Sequence, residues 1–269
     1  MNVAEQLLNA YDSASLWEPT LREALPTDIS AAYHHSFSVR DLRIARGEHP
    51  LGYKIGFTTE AAMQKYGISA PMWGLLWNTT VCDASGRSEP FPIDLADSLQ
   101  PRLEPELVVQ LGHWPNPSQG QQGIFQAIAA VGIGFEVVQC HCTNWELSAA
   151  TAIADGGLHS KLIVGGLRPL KTIARDVTAL NEMLRAATVH LSRDGVHHAI
   201  GTGENVLGSP LRALELFMHD LDRYGRPPLG HLPCLITTGS WTNPFPVEPG
   251  QQWSAHFSHA LGDMSVAFL

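Results

Sequence analysis

The chain has 269 residues, 44% of them hydrophobic and 16% charged, with a formal net charge of −9 at pH 7. That length suits one large domain or two modest ones and is enough to bury a sizeable core. The acidic balance, with no basic stripe to offset it, argues against nucleic acid as a partner, and no apolar run approaches a membrane span.

The opening MNVAEQLLNAYDSASLW carries helical periodicity over 3–11. It lacks the basic start and continuous apolar stretch of a secretory signal. Four cysteines in a chain this long read as free thiols of a cytoplasmic protein. A second helix is predicted over 28–47, with Asp28 as N-cap. LGYKIGF (51–57) reads as a short strand and TTEAAMQKYG (58–67) as a helix ended by Gly67. PMWGLLWNTTVCDASGR reads as irregular chain with a short strand. From residue 101 the pattern changes. Strands are predicted at 102–111, 132–140, 161–166, 187–193, 233–239, 252–257 and 263–268. Helices are predicted near 121–130, 144–154, 172–185 and 209–224. SEPFPIDLADSLQ (88–100) is the best boundary, dividing a helical region, 1–90, from a β-rich region, 91–269. The fold class is α+β, with a curled or closed sheet.

The stretch PRLEPELVVQLG places two carboxylates at the mouth of an apolar strand. Residues two apart on a strand share a face, so Arg102, Glu104, Glu106 and Val108 point the same way. Like charges that close repel unless neutralised. An exposed strand end would solve this with water; a hard divalent cation such as Mg²⁺ would solve it by coordination. Such an ion needs a third protein ligand. GIGFEVVQC (132–140) offers Glu136, a carboxylate inside another apolar strand that is costly there unless paired or metal-bound.

These segments, with GYKIGFTTEAAMQKYGISAPMWGLL, GFEVVQCHCTNWELSAATAIADG and the C-terminal TTGSWTNPFPVEPGQQWSAHFSHALGDMSVAFL, resemble one group in order and content. It is the 2-keto-4-pentenoate hydratase and 4-oxalocrotonate decarboxylase branch of the fumarylacetoacetate hydrolase superfamily. The resemblance runs from about residue 28 to the C-terminus. It implies a mixed β-roll C-terminal domain behind a smaller helical N-terminal region, Mg²⁺ or Mn²⁺ as cofactor, a 2-oxo acid from aromatic ring cleavage as substrate, and a homo-oligomer. It assigns the metal to Glu104, Glu106 and Glu136, and it marks Lys54 in GYKIG as a site residue rather than a snorkelling side chain. It places Asp155 near Lys54, where an ion pair is expected; by itself Asp155 reads as a helix-end capping residue. It implies that Ser240 and neighbouring amides hold a substrate carboxylate, with Arg102 and Leu76 as further substrate contacts.

Some residues depart from the pattern. After WGLL the group carries an acidic proton-transfer residue; here Asn78 and Thr79 stand there, and neither shuttles a proton near neutral pH. Gln139 and His141 follow Glu136, and His159 follows Asp155, at positions where the group differs. His34 and His35 lie on the second predicted helix. Histidine titrates in the range a hydrolytic base needs. These features favour hydrolysis of a carbon–carbon bond in an acylpyruvate such as maleylpyruvate or fumarylpyruvate, with His34, His35 or His159 as base and pyruvate and a carboxylic acid as products. Hydration of a 2-hydroxydienoate, and then decarboxylation of a 4-oxalocrotonate-like acid, are the alternatives. A non-catalytic accessory subunit is the reading from another class. Two lures are set aside. In CHC (140–142) the two cysteines share a face and the histidine does not, and no second ligand pair follows. GTGENVLG (201–208) has neither the dinucleotide spacing nor the closing lysine of a phosphate loop.

Overall fold

The computed structural model describes residues 1–224, 232–259 and 261–269. Three helices open the chain: α1 (Val3–Asp12), α2 (Pro19–Ala24) and α3 (Ile29–Ala45). Asn2 and Glu5 close a capping box on α1, and Asp28 caps α3 through a 2.9 Å bond from the Ala31 N–H. Then come β1 (Pro50–Gly56), α4 (Glu60–Tyr66), β2 (Met72–Trp77), β3 (Val81–Asp83) and β4 (Phe91–Ile93). The long strands β5 (Arg102–Leu111) and β6 (Ile128–Val138) flank α5 (Gly120–Ala127). After α6 (Ala149–Ala154) follow β7 (His159–Val164), β8 (Arg168–Pro169), α7 (Val177–Ala186), β9 (Thr188–Arg193) and β10 (Val196–Thr202). The chain ends with α8 (Pro210–Arg223), β11 (Cys234–Ser240), β12 (Phe245–Pro246), β13 (Gln252–Phe257) and β14 (Gly262–Phe268).

The strands form two mixed sheets. The larger has the order β2-β1-β11-β5-β6-β7-β3, with β12 joined to β5 and β8 to β6; the smaller has the order β10-β9-β13-β14-β4. This is the α+β class read from the sequence. Strands β1 and β2 enter the large sheet from within the first ninety residues, so helical structure in that region belongs chiefly to α1–α3 and α4. Strand β2 is the longer of two strands in the stretch read as irregular chain with a short strand. All six of its residues are buried, so it shows no polar alternation to betray it. No helix among the described residues is long and apolar enough to cross a membrane.

Packing holds β1 in place from one side. Tyr53 and Ile55 are fully buried and share a face of β1, opposite Lys54. Tyr53 meets Phe217 of α8 at 5.2 Å and Trp73 of β2 at 5.8 Å between ring centroids, and Trp73 stacks on Tyr33 of α3 at 4.4 Å. Each such aromatic pair adds about 0.5–1.5 kcal/mol beyond area burial. Arg43 docks α3 from the other end, paired with Glu48 at 2.6 Å and lying 4.4 Å from the Trp77 ring centroid.

Candidate active site

The antiparallel register of β5 and β6 sets Glu104 directly opposite Glu136, and Glu106 follows two residues along the same face of β5. Glu106 and Glu136 are fully buried, and Glu104 is half-buried. One oxygen from each of the three lies within 4.8 Å of the others. Each of the two buried carboxylates has one oxygen engaged and one bare. Glu106 Oε2 accepts the Gly239 N–H at 2.7 Å, and Glu136 Oε1 accepts from His159 Nδ1 at 2.8 Å and faces Lys54 Nζ at 3.2 Å. Glu106 Oε1 and Glu136 Oε2 have no hydrogen-bond partner. Buried bare carboxylate oxygens are costly, and the three carboxylates outnumber the cations beside them, Lys54 and Arg102. An all-oxygen donor set with that excess of negative charge suits a hard divalent cation.

The Gly239 amide reaches Glu106 because β11 carries an extra residue against β5. Thr237 is opposite Val108 and Ser240 opposite Glu106, so three steps on one strand match two on the other. Gly239 takes φ +101, and a Cβ there would lie 1.9 Å from Thr58 Oγ1. No other residue fits. Gly74 has a comparable task beside Lys54, its register partner on β2. A Cβ on Gly74 would stand 2.2 Å from the Gly156 carbonyl oxygen, closing the space that the Gly156–Gly157 turn uses to cover the Lys54 stem.

These contacts set the charges. Burial raises the Glu104 pKa to about 7, against the pull of Lys54. Burial, with the Glu136 and Glu104 charges, pushes Glu106 well above the usual carboxylate range. Burial acts on Glu136 too, but Lys54 and the His159 hydrogen bond outweigh it and bring its pKa below the ordinary value. Burial likewise opposes the Lys54 charge, and the three glutamates outweigh it, so the pKa rises and Lys54 stays an ammonium.

A cleft of about 580 Å³ opens over Lys54 and Glu104, lined also by Arg102 and Ser240. Arg102 lies 4.3 Å from the Trp145 ring centroid, so Trp145 forms a wall that the sequence did not announce. Asn144 and Trp145 both have positive φ, +54 and +60, which is why the helix predicted from 144 begins only after its Ser148 cap.

The other expected residues lie elsewhere. His34 is exposed and hydrogen-bonds the Ser30 carbonyl at 2.7 Å; His35 is half-buried; neither lines the cleft. His159 is committed through both ring nitrogens, Nδ1 to Glu136 and Nε2 to Thr80 Oγ1 at 2.9 Å. Burial lowers its pKa, so it supports Glu136 as a neutral ring. Asp155 pairs with His141, not Lys54: its Oδ1 lies 2.6 Å from His141 Nδ1 and its Oδ2 accepts the His141 N–H at 3.0 Å. Leu76 is fully buried against Val108, Leu162 and Val164, away from the cleft. Asn78 and Thr79 bond His49 and Glu48 on an exposed turn.

No protein-family model matches the chain. It is 30% identical over 269 residues, 99% of its own length and 96% of the relative's, to 2-keto-4-pentenoate hydratase of Paraburkholderia phymatum. It is 32% identical over 172 residues, 64% of its length and 61% of the relative's, to 4-oxalocrotonate decarboxylase of a Pseudomonas species. The fold superposes on 4-oxalocrotonate decarboxylase from Pseudomonas putida G7, complexed with magnesium and adipate, with TM-score 0.86 at 24% identity, covering 99% of this chain and 96% of that one. On fumarylpyruvate hydrolase from Pseudomonas aeruginosa, in complex with Mn²⁺ and pyruvate, the TM-score is 0.58 at 15% identity, covering 81% and 88%. These findings correct the expectation of acylpyruvate hydrolysis. The full-length and partial sequence relatives are hydratases and decarboxylases, while the hydrolase shares the fold alone. The physical reason is the one above: the histidines expected as hydrolytic base do not present a free imidazole to the cleft.

Proposed function

The chain belongs to the 2-keto-4-pentenoate hydratase and 4-oxalocrotonate decarboxylase branch of the fumarylacetoacetate hydrolase superfamily, and from that premise we propose a divalent-metal-dependent lyase that hydrates a 2-hydroxy-2,4-dienoate to a 4-hydroxy-2-oxo acid. The observation that carries this reading is the buried carboxylate trio with its two bare oxygens. Glu104, Glu106 and Glu136 would hold Mg²⁺ or Mn²⁺, and when bound the ion acts as a Lewis acid toward the oxygens of the keto-acid end. Lys54, held as an ammonium against Glu136, stabilises the negative charge that builds on the C2 oxygen. Arg102 and Ser240 grip the adjacent carboxylate from the cleft wall. His159 and Thr80 keep the Glu136 carboxylate from rotating.

Decarboxylation of a 2-oxo-enedioate is the second reading, and one observation favours it. Among the described residues the ionisable side chains lining the cleft are Lys54, Lys65, Tyr66, Arg102 and Glu104. Loss of the remote carboxylate as CO₂ leaves its electron pair delocalised onto the C2 oxygen, which takes up one proton. That step needs a stabilised enolate but no group that delivers a proton to carbon. The test is direct. The Mg²⁺-loaded protein should consume 2-hydroxypenta-2,4-dienoate, seen as loss of dienol absorbance, and lose that activity on chelation. CO₂ release from 2-oxohex-3-enedioate tests the second reading. Failure with both compounds, with Mg²⁺ and with Mn²⁺, overturns the proposal.

A further inference from the structure

The cleft holds a cation that the site described above does not use. Strand β1 ends at Gly56, and Phe57 turns the chain in the left-handed region at φ +58. A phenylalanine there is strained by about 1–2 kcal/mol and persists only where its surroundings enforce it. Its ring stacks on Tyr66 at 4.1 Å between centroids and 8° between planes, and the neighbouring Thr58 carbonyl accepts the Leu207 N–H at 2.9 Å. The turn sets α4 along the cleft, so that Ala62, Lys65 and Tyr66 line it beside Phe57. Lys65 Nζ lies 4.9 Å from the Tyr66 ring centroid, and among the described residues no carboxylate pairs with it. The other two cations of the cleft are placed at the glutamate end. Lys54 is bound to Glu136, and Arg102 shares the strand face of Glu104.

We propose that Lys65, backed by the Phe57–Tyr66 stack, binds a second carboxylate on the end of the substrate remote from the glutamates, so that the preferred dienoate is a diacid. The inference rests on the hydratase reading and narrows its substrate class. It also bears on the choice between the two reactions. A cation on the remote carboxylate stabilises the ionised ground state and opposes its loss as CO₂, whereas addition of water leaves both carboxylates in the product. Lys65 is exposed and lies over the Tyr66 ring, so its ammonium is open to an anionic partner.

The experiment compares 2-hydroxyhepta-2,4-dienedioate with the methyl-ended 2-hydroxyhepta-2,4-dienoate on the Mg²⁺-loaded protein. Wild type should favour the diacid in kcat/KM by about tenfold or more, carried by KM. In K65M that ratio should fall to near one, and K65R should restore part of it. Calorimetric binding of the unreactive 2-oxoheptanedioate and 2-oxoheptanoate measures the same ratio without turnover. Equal values for the two compounds in wild type, or a preference that survives K65M, overturns the proposal. If neither dienoate reacts but K65M erases a binding preference for the diacid, the subsite stands and the hydratase reading fails.

Discussion

His159 and His141 are both buried, and each bonds a carboxylate through Nδ1, at 2.8 Å to Glu136 and at 2.6 Å to Asp155. Their pKa values move in opposite directions. Burial lowers that of His159, with Lys54 and Arg43 adding to it. Burial also opposes the charge on His141, but Asp155 outweighs it and raises the value. The difference lies in how the carboxylate is shared. Glu136 already answers an ammonium and leaves its other oxygen buried and bare, so its histidine stays neutral. Asp155 spends both oxygens on one residue, and that residue takes the charge. Near the cleft the imidazole orients the Glu136 carboxylate; behind it, against Trp17 at 6.0 Å, the imidazole fastens the segment after β6 to the end of α6.

Substitutions that break this contrast should do so unequally. Glu106→Ala removes a carboxylate from the trio and should lower turnover by about 10³-fold or more, with Mg²⁺ binding by calorimetry falling in parallel. Retained turnover would remove the metal from the mechanism. Lys54→Met should cost roughly 10²-fold in kcat. It should also raise the His159 pKa, since Lys54 is one of the cations that depress it. A proton NMR titration in which His159 does not move would sever the link drawn between the two groups.

Asp155→Asn acts on the other pair and should cost about 2 kcal/mol in urea unfolding, more than it costs in turnover. The smallest effect is its pH dependence. The folded value of His141 is raised above its ordinary 6.5, so the pair's contribution is fully present below that pH and is lost as pH rises through the raised value. The stability gap between wild type and Asp155→Asn should therefore narrow by about 1 kcal/mol from pH 6 to pH 9. A gap that stays constant over that range would show that the imidazole is buried neutral.

Much of the site was legible because strands have a period of two. Glu104 and Glu106 share a strand face and, like Glu136, interrupt apolar runs, so they stood out from local pattern; Lys54 interrupts another run but by pattern read as a snorkelling side chain, and the family resemblance marked it. The fold class followed from the spacing of strands and turns. What escaped was contact between segments distant in sequence. The partner of Asp155 is fourteen residues away and that of His159 is twenty-three, and neither offset is a helical or strand period. A helical histidine such as His34 is as visible in sequence as a catalytic one, and only the packing of α3 turns it to solvent. The glycine in TTGS was a readable sign of a bulge inside a strand, but not of the carboxylate its amide would meet.

On the proposed metal site, the pairing of Glu104 with Glu136 makes ion uptake and strand alignment one event. Side chains on a strand alternate between faces, so a slip of a single position between β5 and β6 would carry one of the two carboxylates to the opposite side of the sheet. A misaligned sheet could not hold the cation, and a bound cation penalises every misalignment. Amide exchange along β5 and β6 should therefore slow when the ion binds, and the central ladder would serve as proofreader of its own assembly.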